Sequence, residues 1–100
     1  MNIPAKMPFL GQIVATRGAL AAVSPARVME GLTRHMRGDW GCVCQEDAAT
    51  NDRALEDGER VLSAYPIDPS QPAKGHGANV FWIITEADRS VTTVLLPDEY

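Results

Sequence analysis

Two runs of apolar and β-branched residues near the C-terminus dominate the pattern of the chain. Val80 to Glu86 and Val91 to Leu96 flank a short polar stretch, which predicts two strands joined by a turn at Glu86-Ala87-Asp88-Arg89-Ser90. Along the first run Val80, Trp82 and Ile84 face one way, and Phe81, Ile83 and Thr85 the other. Both faces are largely apolar. That predicts a central strand covered by helices on one side and partly covered on the other. Arg60 to Tyr65 reads as a preceding strand. Between them lies a flexible loop over 67–78, marked by Pro69, Pro72, Gly75 and Gly77.

Upstream the period changes from two to that of a helix. Ser24-Pro25 is a helix start: serine caps, and proline suits the first helical position. The helix over 25–36 places Val28, Leu32 and His35 on one stripe with Met29 and Met36 beside it, and Glu30 and Arg34 as an i,i+4 pair in water. Gly38 ends it. A second helix runs from Gln45 to Asp57, closed by Gly58, with Glu46 and Asp47 at its positive end. Its inner face is thin (Ala48, Ala49 and Leu55). Asn51 or Asp52 must therefore lie at the contact and find a partner. Thr16 can cap a short helix to Val23, although Gly18 weakens it. Leu10 to Ala15 is a short strand or an extended lead-in. Residues 1–9 form an irregular arm broken by Pro4 and Pro8. Helices followed by strands define one α+β domain over 1–100. It has two to three N-terminal helices on a three- or four-stranded antiparallel meander.

Charge divides this chain unevenly. Residues 1–37 carry five cations and one acid; 38–59 carry seven acids and one cation. The net charge of −4 argues against a nucleic-acid-binding protein. The acidic segment predicts a solvated face or a surface that meets a basic protein partner; a homo-oligomer is compatible with either. No apolar run approaches the ~20 residues that cross a membrane, and no secretory leader opens the chain. A cytoplasmic location is expected, with Cys42 and Cys44 as free thiols.

Candidate chemistry is sparse. A lone C-x-C pair with His35 and His76 elsewhere does not make a structural zinc site, and no metal or cofactor is expected. Ser63 and Ser90 lack a nucleophile-elbow context, and no phosphate loop or dinucleotide fingerprint is present. Acid–base chemistry on a phosphodiester needs only a few side chains, and His35, Tyr65, Glu86 and Arg89 are the candidates. Three of them have a structural alternative: His35 as a core histidine, Tyr65 as a strand tyrosine, and Arg89, with Asp88, as turn chemistry. Trp40, in a glycine-flanked loop, either plugs the gap between helix and sheet or marks a contact surface. The binding candidates are Trp40, Glu46, Asp47, Asp52, Asp88 and Arg89.

Four segments together resemble one family. They are Leu10 to Thr16 followed by Gly18-Ala19-Leu20; His35 with Arg37 to Gly41; Asn51 to Leu55 with Arg60 to Tyr65; and Trp82 to Tyr100. The chain resembles small bacterial proteins carried on plasmids, phages and integrated elements, usually called plasmid-related proteins and sometimes labelled type I restriction subunits. A restriction methyltransferase subunit needs a cofactor-binding domain that these residues do not supply. This sequence departs from the family pattern at Cys42-Val43-Cys44 and in the Pro69–Gly77 loop. The resemblance implies a mobile-element accessory protein that binds a protein and interferes with host defence. A fainter similarity, at fold level, is to barnase/RelE-like ribonuclease toxins. The Glu86–Ser90 turn is expected to pack towards Trp40 and the 45–57 helix, with Arg89 paired to an acid there.

Overall fold

The computed structural model describes residues 6, 7 and 9–100. Most of the expected 1–9 arm lies outside these residues; of the part inside, Met7 is buried and its amide donates to Met36 O. The elements are β1 (Gln12–Ala15), α1 (Arg17–Ala22), α2 (Pro25–Met36), α3 (Gln45–Asp57), β2 (Val61–Pro66), β3 (Val80–Thr85) and β4 (Val91–Leu95), followed by a 3₁₀ turn at Pro97–Glu99.

The α+β class holds, but the sheet is mixed. Its order is β1-β4-β3-β2, with β1 parallel to β4 and the other pairs antiparallel. The expected antiparallel meander is thus β2-β3-β4 alone. The first strand joins at the far side, beside the last. Gly11 sets that approach: its φ is +64°, and a Cβ there would collide with the carbonyls of Arg89 and Ser90. Gln12 N and Thr16 N then donate to Ser90 O and Val94 O.

Capping follows the sequence. Thr16 and Ser24 side chains accept the amides of Ala19 and Arg27, and Gly38 and Gly58 close the next two helices at positive φ. Gly18 is there for another reason than flexibility. The Glu99 carboxylate occupies the space of its Cβ, accepting from Thr16 Oγ1, Gly18 N and Leu96 N. The C-terminal turn is thereby clamped to the start of α1.

α2 lies on the face of the sheet that carries Ser63, Tyr65, Phe81, Ile83, Thr85, Thr92 and Val94, all fully buried. Its contact stripe is Gly31, Leu32 and His35, with Val28 and Met36 at the margin; Met29 is exposed, contrary to the expected position beside the stripe. At Gly31 a Cβ would press on Phe81 and Ile83, so the helix sits closer to β3 than a larger residue allows. Glu30 pairs with Arg27 and Arg34 with Asp39, replacing the expected Glu30–Arg34 pair. The opposite face of the sheet carries Val80, Trp82, Ile84 and Leu95, with the 67–79 loop and Tyr100 partly over it. Trp82 Nε1 donates to Gly75 O, and the rings of Trp82 and Tyr100 meet edge to face. The loop is closed at its base by Asn79, which bonds Asp68, Gln71 and Pro72 main-chain groups.

The outer edge of β2 is fully capped. Ala64 N and O bond Trp40 O and Cys42 N, and the Asn51 side chain bonds both Leu62 N and Leu62 O. The amide of α3 therefore substitutes for a neighbouring strand. Asn51→Ala is expected to lower stability by about 2 kcal/mol, because two main-chain groups lose their partners under the helix. Asn51→Asp should cost at least as much, since its second oxygen would face Leu62 O. Urea unfolding of the three proteins measures this; equal stability would mean that water replaces the amide at no cost.

Candidate functional site

The residues singled out from the sequence separate into a buried set and an exposed set. His35 is completely buried. Its Nδ1 lies 2.6 Å from Ser63 Oγ and its Nε2 2.9 Å from Thr85 Oγ1. Thr85 Oγ1 is 2.8 Å from Thr92 Oγ1, which in turn is 2.6 Å from Leu10 O. A carbonyl only accepts, which fixes each proton as far as His35 Nε2; Nδ1 of the neutral ring is then an acceptor for Ser63. Thr92 donates to Leu10 O, Thr85 to Thr92, His35 Nε2–H to Thr85, and Ser63 to His35 Nδ1. The imidazole is the neutral Nε2–H tautomer. Burial, with the Arg89 cation as a smaller influence, lowers its pKa to about 4. Both nitrogens are engaged, and neither meets solvent.

Tyr65 is also buried. Its hydroxyl donates to Asp39 O, and burial raises its pKa further above the usual phenol value. Arg34 stacks over its ring at 4.9 Å while holding Asp39 with two bonds of 2.7 and 3.2 Å. The Arg34 bond is the main cause that lowers the Asp39 pKa. Trp40 is 5% exposed: the plug rather than the contact surface. Its Nε1 donates to Asp52 Oδ1 at 2.9 Å, and its ring meets His35 edge to face at 5.7 Å. The segment His35 to Gly41 is thus a structural joint between α2, α3 and β2.

Arg89 occupies the left-handed region at φ 62°, next to Asp88, whose carboxylate accepts Ser90 N. The turn does pack towards α3, but the expected acid is absent. The guanidinium donates to the carbonyls of Ala54, Glu59 and Glu86, closing the C-terminal end of α3. It does not reach Trp40 by a hydrogen bond. Glu86 is exposed. His35, Tyr65, Glu86 and Arg89 therefore do not share a solvent-open cleft: two are buried, one caps a helix, and one stands in water.

Glu46, Asp47 and Asp88 are exposed and make no ion pair among the described residues. Asp47 lies between two surface hollows. One, of about 230 Å3, is lined by Thr50, Asn51, Arg60 and Leu62 as well; the other, of about 470 Å3, by Cys42, Cys44, Ala73, Lys74, Gly75 and His76. The second hollow is formed by segments distant in the sequence. Its only signal was Trp82, a strand tryptophan whose N–H needs an acceptor and finds it in the loop. Both cysteines are free thiols, and no group of three metal-ligating side chains occurs among the described residues. No helix there is long and apolar enough to cross a membrane. Comparison with protein-family models, with curated proteins and with solved structures found no match to this chain.

Proposed function

We propose that the chain is a small cytoplasmic accessory protein of a mobile genetic element, acting without catalysis of its own. It binds a partner protein through the outer face of α3, and the partner presents a basic surface. A component of host defence is the class of partner that the mobile-element resemblance favours. The observation that carries the reading is the charge of α3. Glu46, Asp47, Glu56 and Asp57 are all exposed and have no ion-pair partner among the described residues. Glu56 and Asp57 stand in the last turn, at the negative end of the helix dipole, where an acid costs a few tenths of a kcal/mol or more. No basic residue occupies that turn, and the helix end depends on Arg89 from the neighbouring hairpin. Charges kept where they weaken the helix support a role outside the fold.

The test is the variant Glu46→Gln, Asp47→Asn, Glu56→Gln, Asp57→Asn. Its melting temperature should stay near that of the wild type, since the favourable charges at the start of the helix and the unfavourable ones at its end are removed together. Capture of partner by the intact chain from cells of a host should be strong at low salt and weak at high salt. The variant should capture at least about tenfold less. Recovery of no partner by the wild type, or equal recovery by the variant, overturns the proposal.

A further inference from the structure

The two edges of the sheet are treated differently. That of β2 is capped by Asn51 and by the Trp40–Cys42 segment. That of β1 is bare among the described residues. Gln12 and Thr16 turn their amides to β4, so the alternation of a strand turns the main-chain groups of Ile13 and Ala15 outwards. Strand Gln12-Ile13-Val14-Ala15 contains no charge, proline or bulge, the devices that keep an exposed edge from pairing. Apolar surface is concentrated at the same place. Of the six large apolar side chains exposed in the described residues, Phe9 (75%), Ile13 (50%) and Val14 (36%) lie in this strand or just before it, and Leu20 (68%) lies in α1, the helix that follows it.

We propose that β1 is a homodimer interface, pairing antiparallel with β1 of a second copy about a two-fold axis near Ile13 and Val14. The occupant follows from self-complementarity. An antiparallel pair sets the N-terminal flank of one strand against the C-terminal flank of the other. Phe9 of each copy then faces the Leu20 end of its partner, and both exposed side chains are covered twice by one operation. Charge agrees. Arg17, exposed, follows the strand, while Asp88, exposed, stands in the turn beside Gly11 at the other end. The same axis brings Arg17 of one copy towards Asp88 of the other, again twice. The two four-stranded sheets become one of eight strands, joined by main-chain bonds. β1 and β2 are opposite edges, so the dimer leaves both α3 faces free at its ends.

Light scattering behind size exclusion tests the pairing on the full chain. The expected mass is twice 10.8 kDa at micromolar concentration. Ile13→Lys replaces a half-exposed side chain, so it should fold with an unchanged circular dichroism spectrum and raise the dimer dissociation constant by at least about tenfold. Arg17→Glu should also weaken the dimer, and Arg17→Glu with Asp88→Lys should restore it, which a general loss of stability would not do. Amide exchange at Ile13 and Ala15 should slow with protein concentration. A monomer at all concentrations overturns the proposal. Protected Ile13 and Ala15 amides in a monomer would assign the edge to the chain's own N-terminal arm and overturn it too. A dimer indifferent to Ile13→Lys and to the charge exchange places the interface elsewhere.

Discussion

Between pH 6.5 and pH 4 the protein is expected to lose about 3 kcal/mol of stability through one residue, His35. The imidazole titrates near 6.5 in the unfolded chain and near 4 in the folded one. In that window the unfolded state binds the extra proton, so stability falls as the pH falls. The contribution is fully present above 6.5 and exhausted below about 4. Protonation would put a second donor on Nδ1, against the Ser63 hydroxyl that now donates to it, in a buried site near the Arg89 cation. The carboxylates whose pKa is lowered, Asp39, Asp68, Asp88 and Glu99, lose their contributions only from the usual carboxylate range downwards, at the acid end of the window. Urea unfolding at half-unit steps of pH measures the slope. His35→Gln keeps an amide that can accept from Ser63 and donate to Thr85 but cannot titrate, and its stability should lack the slope above about pH 5, where only the imidazole is at work. A slope shared by wild type and variant would remove His35 from the account.

The same histidine shows how far the sequence can be read. Its place on the buried stripe of α2 follows from helical spacing with Leu32, and both are buried. Its partners do not follow from anything local. Ser63, Thr85 and Thr92 come from three strands, and each alone is an ordinary strand residue. Only the sheet order aligns them, and that order depends on β1 crossing to the far side of β4. Four residues with no charge carry no information about which edge they join. That is why the parallel pairing was missed while the caps, the helix ends and the β2-β3-β4 hairpins were legible.

The candidate site was read with similar limits. The requirement that Asn51 or Asp52 find a partner came from the thin apolar face of α3, and both do: Asn51 on Leu62, Asp52 on Trp40. Arg89 was singled out because its turn carries more chemistry than a turn requires. Its carbonyl partners could not be foreseen, because main-chain acceptors at a helix end have no sequence signature beyond the missing basic residue in the last turn. Glu46 and Asp47, expected at the start of α3, are exposed there, since exposure of a charged helix face is local. The fold gives Trp40, Asp52 and Arg89 structural work, each helping to hold α2, α3 and the sheet together.

Trp40→Ala is expected to cost about 3–5 kcal/mol, the range for emptying a buried aromatic site. A domain of this size has roughly 5–10 kcal/mol in all, so the variant should be partly unfolded at 37 °C. Three losses combine. The indole leaves a cavity between α2 and α3 beside the His35 ring. Asp52 loses the N–H it accepts. The main chain of residues 40–42, which caps the edge of β2 at Ala64, loses the side chain that anchors it. Trp40→Phe separates these effects: it keeps most of the ring and gives up the hydrogen bond, at about 1–2 kcal/mol. A double-mutant cycle with Asp52→Ala should return a coupling of about 1 kcal/mol between indole and carboxylate. The cycle also distinguishes a plug from a contact surface. If Trp40 served a partner, Trp40→Ala would leave unfolding unchanged and abolish capture. If it serves the fold, Trp40→Phe, still folded, should capture partner as the wild type does, because the α3 carboxylates that carry the proposed binding remain in place.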